Sequence, residues 1–146
     1  NAVHHFDLRG FLTEAARVLR AGGRLIVYTR TPEQNERTIW GRFFPHFTER
    51  ETRLYTERTL CAGLVEAASQ FEAVELREIP WTMSATLLSR LLYHARSGCY
   101  STFWFYSPEE FEEALAVFEA QVRANFDDPS AVTARNDHLL LLATRC

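Results

Sequence analysis

The sequence predicts an α/β domain with a mixed sheet, and three stretches predict it. Ala16–Arg30 reads as the end of an amphipathic helix, a Gly22-Gly23 stop and then an apolar strand, which is one αβ unit of a layered domain. In Phe71–Trp81, Val74 and Leu76 alternate with Glu75 and Arg77, so that strand has one dry and one wet face and lies at a sheet edge. His138–Thr144 carries the run Leu139-Leu-Leu-Leu142 without alternation, which places it inside the sheet. A patterned strand followed by a fully apolar final one implies that the last strand inserts between its two predecessors.

The elements follow in order. Asp7 is placed to cap a helix whose Phe11, Leu12, Ala15, Val18 and Leu19 recur at helical spacing. Gly22 and Gly23 are expected to take the positive φ that closes it. In the strand Arg24–Thr29, the run Leu25-Ile-Val27 suggests cover on both faces, as in a parallel strand. Residues 31–55 form a long connection, with a short helix over Arg37–Phe44 that ends before Pro45. Thr56 opens the next helix, with Leu60, Leu64, Val65 and Ala68 on one side. Met83–Ser97 is predicted helical, with Leu87, Leu88, Leu91 and Leu92 on one face and Gly98 as its stop. Ser107-Pro-Glu-Glu110 is the most explicit local signal: serine caps, proline takes the first helical position and Glu110 reaches back. That helix runs to about Phe126, and Asp127-Asp-Pro-Ser130 is a turn.

Composition narrows the function classes. The 146 residues suffice for one domain with a real core. Net charge is −3 and all 16 basic residues are arginines scattered along the chain, so nothing suggests a nucleic-acid partner. Cys61, Cys99 and Cys146 have no metal or redox spacing, which suggests reduced thiols in a cytoplasm. No apolar run approaches the ~20 residues of a membrane helix. The chain opens on Asn1 in what reads as the middle of a motif, and an upstream portion is expected.

Arg17-Val-Leu-Arg-Ala-Gly-Gly-Arg-Leu25, preceded by His4-His-Phe-Asp7, resembles the segment before the fifth strand of class I S-adenosylmethionine-dependent methyltransferases. Ala21 stands where that family usually has proline. The resemblance implies that this chain is the C-terminal part of a Rossmann-like methyltransferase sheet, its last strand antiparallel. Residues 1–146 would then be a single partial domain, with helical insertions at 31–55 and 82–130 capping the substrate side. It implies S-adenosylmethionine as cofactor, with Ala2, Val3 and His4 near the methyl donor and most binding elements outside this chain. The family's glycine-rich loop and ribose-binding acid have no counterpart here, since Gly22-Gly23 closes a helix where that loop opens one.

Candidate site residues follow from placement. In open α/β sheets ligands bind beyond the carboxyl ends of the strands. Tyr28, Arg30, Gln34 and Asn35 leave such an end, and Arg30 is suited either to clamp a carboxylate or phosphate or to a solvated or capping role. Trp40, Phe44 and Trp104 belong to aromatic-rich insertions that either roof a pocket for a small-molecule substrate or pack an accessory helical layer. His4 and His5 are candidate general bases or structural rings. The five histidines lack zinc spacing, so no metal is expected. The reading is methyl transfer to a small organic acceptor. The alternative is a non-catalytic interaction domain that self-associates through an unpaired sheet edge.

Overall fold

A computed structural model describes residues 2–67 and 69–146; Asn1, Ala68 and the side chain of Ala73 lie outside the description. The chain forms two compact units, one from residues up to Pro32, Arg53–Pro80 and Asp137–Cys146, the other from Glu33–Thr52 and Trp81–Asn136.

The first unit is a three-stranded sheet with helices on one face. Its strands are β1 (Arg24–Thr29), β2 (Phe71–Ile79) and β5 (His138–Arg145), in the order β1-β5-β2. β5 lies in the middle, antiparallel to both neighbours, with Leu142 opposite Ile26 on one side and Glu75 on the other. The insertion of the last strand is as the apolar pattern predicts, and β2 is at the edge. Helices α1 (Leu8–Val18) and α5 (Glu57–Glu66) bring Leu8, Leu12, Ala16, Leu60 and Leu64 against Leu25, Val27, Leu139 and Leu141. Gly63 lets α5 approach α1 closely: a Cβ there would lie 2.9 Å from the Leu8 side-chain methyl, which would have to shift.

Local signals explain where these elements start and stop. Asp7 accepts from the Gly10 amide and Thr56 from the Thr59 amide, capping α1 and α5. α1 ends earlier than the glycines, because Leu19 is already extended. Gly22, at φ +74°, instead turns the chain into β1, and its amide bonds to the Arg145 carbonyl at 2.8 Å. The Arg145 side chain donates to the Ala16 and Gln70 carbonyls, tying the end of β5 to α1.

Two expectations are corrected. β1 is not covered on both faces: Leu25, Val27 and Thr29 are buried, while Ile26 is 61% and Tyr28 44% exposed. Among the described residues its strand partner is β5, and it is antiparallel. An apolar residue does not report its own cover, so the run could not reveal the open face. The buried side of α1 is likewise rotated towards Leu8, Leu12 and Ala16, leaving Val18 exposed.

The second unit is mainly helical. Three short helices, α2 (Pro32–Glu36, beginning at the boundary), α3 (Ile39–Phe43) and α4 (Phe47–Arg50), precede a strand pair and two longer helices, α6 (Leu88–Arg96) and α7 (Pro108–Asn125). The pair is β3 (Thr82–Thr86) and β4 (Val132–Arg135), antiparallel, with Met83 opposite Ala134. Met83–Thr86 is therefore strand and not the first turn of a helix, and the second insertion is not wholly helical. Thr82 and Thr86 are β-branched, but the deciding partner, β4, lies some fifty residues downstream, where no local pattern displays it.

Gly98, at φ +65°, follows α6 as predicted. The Ser107 capping box is complete: the Ser107 hydroxyl accepts from the Glu110 amide, and the Glu110 carboxylate accepts from the Ser107 amide. Rings fill this unit's core, with Trp40 stacked on Phe118 at 4.8 Å and edge-on to Phe103 at 5.3 Å.

The one-sided first unit makes a direct prediction. Leu141→Ala should destabilise the chain by about 2–5 kcal/mol, whereas Ile26→Ala, on the open face, should change stability by about 0.5 kcal/mol or less. Urea unfolding measures both.

Candidate functional site

The end of β1 gathers the most constrained polar groups of the first unit. Tyr28 and Arg30 leave its carboxyl end, and because β5 runs the other way its first residue, His138, arrives beside them. Tyr28, Leu140 and His138 share the open sheet face. The Tyr28 and His138 rings stack, with centroids 4.6 Å apart and planes 18° from parallel. Behind them the Arg30 guanidinium, only 4% exposed, lies 3.2 Å from His138 Nε2 and donates to the Asp137 carbonyl at 3.4 Å. Guanidinium offers donors only, so Nε2 must accept and the neutral ring carries its proton on Nδ1. Arg30 is thus spent inside the protein and is not displayed as an anion clamp on the surface.

The histidine pair lies elsewhere in this unit. Val3–His5 form a 3-10 turn before α1, with Val3 in the core, Ala2 exposed and the His4 and His5 rings 4.1 Å apart. Arg53 Nη1 approaches His5 Nδ1 at 3.5 Å, and the Tyr55 hydroxyl donates to the Phe6 carbonyl at 2.7 Å, pinning the turn's exit.

The remaining candidates belong to the second unit. Gln34 and Asn35 are buried in α2. The Asn35 carbonyl accepts from the Thr38 hydroxyl at 2.7 Å, and a Cβ on Gly41 would come within 2.2 Å of it. Trp40 and Phe44 are buried among Phe47, Phe103 and Phe118. Trp104 is 76% exposed, its indole nitrogen packed where a side chain on Gly98 would sit. The structure therefore joins Tyr28 to Arg30 and Trp40 to Phe44, while Trp104 stands apart on the surface. Sequence reasoning missed His138, read as the first residue of a strand and one of five histidines without zinc spacing. The available signal was a polar residue opening an otherwise apolar central strand.

The second unit also holds a cavity of about 310 Å³ between α4 and α7, lined by Pro45, His46, Arg50, Tyr106, Glu110 and Val117 among others. His46 adopts the left-handed conformation there, at φ 60°. The Arg50 guanidinium makes a two-pronged pair with Glu110, at 2.8 and 3.1 Å, and lies 4.2 Å above the Tyr106 ring. Its hydrogen bonds to Glu110, followed by the Ser107 amide, hold the Glu110 carboxyl down at about 2. Burial pushes the Tyr106 phenol up, and its hydroxyl donates to the Pro45 carbonyl at 2.7 Å.

Among the described residues no cluster of His, Cys, Asp and Glu converges to hold a metal ion, and no helix is long and apolar enough to cross a membrane.

With the rim and the antiparallel central strand in place, the chain can be set beside known proteins. No protein-family model matches it, and no curated protein matches it in sequence. It does superpose on the crystal structure of a "putative methyltransferase" from Bacillus halodurans C-125, with a TM-score of 0.51 at 22% identity. The fold is methyltransferase-like. The match covers 98% of this chain and 65% of that one, so this chain spans less than two thirds of the length of the methyltransferase it matches. The resemblance seen in the Arg-Val-Leu and Gly-Gly motif is therefore upheld at the level of fold.

The Glu110 clamp predicts a pH signature. The carboxyl's folded value lies below its ordinary 4.5, so the clamp's contribution is complete above about pH 4.5 and fades as pH falls through about 2. Thermal melts of the native chain and Glu110→Gln should differ at pH 6 and converge towards pH 2.

Proposed function

We propose that this chain is the substrate-side part of an S-adenosylmethionine-dependent methyltransferase domain acting on a small organic acceptor. The observation that carries the reading is the match across 98% of the chain to a methyltransferase fold, in a sheet whose rim presents Tyr28 with His138 and Arg30 buried beside it. In this reading the sheet β1-β5-β2 is the C-terminal portion of a Rossmann-like sheet, and residues 31–55 and 82–130 cap the acceptor side.

The residues present do not by themselves make the methyl donor's site. Of the six glycines, Gly10, Gly41 and Gly63 lie within helices, Gly22 and Gly23 form the turn into β1, and Gly98 follows α6. None opens a helix at the end of a strand, as a phosphate- or nucleotide-cradling loop does. The donor would rest mainly on elements outside these residues, with Ala2, Val3 and His4 beside it. This chain's part is to bind and orient the acceptor and to exclude water, the contribution on which an in-line transfer depends. Tyr28 is the proposed acceptor-side residue, Arg30 holds the rim from within, and His4 and His5 are the candidate bases; Asn35, Trp40 and Phe44 are buried inside the second unit and Trp104 stands apart on its surface, so none of the four is offered as an acceptor contact.

A second reading is favoured by one observation. A groove of about 770 Å³ runs along α1 and the outer edge of β1, lined by Phe6, Phe11, Val18, Leu19 and Ile26 among others. An unpaired edge beside exposed apolar side chains promotes strand addition, which suits a self-associating interaction domain.

Two measurements separate the readings. If the methyltransferase reading holds, the gene's reading frame continues upstream of Asn1 through a strand, a glycine-rich loop and an acid, and calorimetry on the complete product detects S-adenosylmethionine binding. Absence of binding overturns it. Light scattering tests the second reading, which expects a dimer and is overturned by a monodisperse monomer.

A further inference from the structure

We propose that Tyr28 is a stacking platform for a flat aromatic acceptor, and that His138 is the positioning residue that holds its ring in place. This deepens the acceptor-binding role given above and rests on that reading.

The platform is built in layers from the inside out. Arg30 leaves the end of β1 and turns inward, where its buried guanidinium meets His138 Nε2 at 3.2 Å and the Asp137 carbonyl at 3.4 Å. That contact sets the rotation of the imidazole, because a donor-only partner admits one orientation of the neutral ring. His138 is itself only 9% exposed, and β5 holds its backbone between two strands. Tyr28 then stacks on the imidazole, 18° from parallel. One face of the phenol is covered by His138 while 44% of the residue faces solvent.

An aromatic side chain exposed on the open face of a strand ordinarily samples several rotamers. Here the stack restrains it, so a ring that docks on the outer face meets an ordered partner and loses less freedom on binding. Flat π-faces prefer such offset stacks at centroid separations of ~4.5–7 Å. The platform stands at the carboxyl end of β1, next to the rim where an open α/β sheet binds its ligands. Arg30 is enclosed behind the rings, so the surface offers a π-face and a phenol hydroxyl and not a cation. The fitting ligand is therefore a planar aromatic bearing a neutral hydroxyl or amine, and not an aliphatic acid.

The test uses 1-naphthol and its saturated counterpart decahydro-1-naphthol, titrated into the full chain without S-adenosylmethionine and followed at the ring and amide resonances of Tyr28 and His138 by NMR. The expected result is a saturable upfield shift of these resonances with 1-naphthol and none with the saturated alcohol. Tyr28→Ala should weaken the binding about tenfold, and Tyr28→Phe should leave it nearly intact. His138→Ala should weaken it several-fold, and His138→Phe, which restores a ring behind Tyr28, should recover most of the loss. If His138→Ala fails to fold, Tyr28→Ala and His138→Phe still decide the matter. Equal responses to the two alcohols, or native affinity in Tyr28→Ala, overturn the platform; native affinity in a folded His138→Ala overturns the positioning role. Because no methyl donor is present, failure here leaves methyl transfer standing, and failure of donor binding leaves this result untouched.

Discussion

The first unit depends on one strand that arrives last. β5 supplies hydrogen bonds to both β1 and β2, and without it those two strands have no ladder between them. Its Leu139, Leu141 and Ala143 face the helices and complete the apolar core with Leu12, Ala16 and Leu64. β1 and β5 are separated by more than a hundred residues, most of which fold into the second unit, so the sheet closes only after a long loop is brought together. The same constraint sets the chemistry of the rim. An antiparallel strand starts where its neighbours end, and so His138 reaches the carboxyl end of β1 beside Tyr28 and Arg30.

The second unit solves a different problem. Short helices and a two-stranded sheet bury little apolar surface individually, and its core is accordingly made of large rings: Trp40, Phe44, Phe47, Phe103 and Phe118 pack on one another at centroid separations of 4.8 to 6.5 Å. Aromatic pairs add about 0.5–1.5 kcal/mol each beyond simple area burial, enough to order connections that have weak helical propensity of their own. Its charged surface is organised around α7, where Ser107, Glu110 and Arg50 satisfy the helix start and tie it to α4. Trp40 and Phe44 hold this unit together from its core.

Several features were legible because they are written in consecutive residues. Ser107-Pro-Glu-Glu110 makes its capping box, Asp7 and Thr56 cap their helices, and Gly98 ends α6, since each effect acts within a turn or two. The position of β5 was legible for another reason, namely that its run Leu139–Leu142 is apolar on both faces, a pattern commoner in interior strands than at an edge. Tyr28 and Arg30 drew notice in the sequence because they leave the carboxyl end of a strand. His138 did not, because its importance comes from the strand's direction and not from its neighbours in sequence.

By itself, then, the sequence determined the αβ unit around Gly22-Gly23, the capped helices, the central place of the final strand and the resemblance to a methyltransferase fold. Tertiary structure alone decided that Met83–Thr86 is a strand, since its partner Val132–Arg135 lies far along the chain. It also decided that Ile26 and Tyr28 face outward while Leu25 and Val27 face the helices. Arg30 was turned inward to His138 by the same long-range pairing. Hydrophobicity and capping are local properties and can be read along the chain. Which face a residue presents, and which side chain it meets, depends on strands joined across a hundred residues.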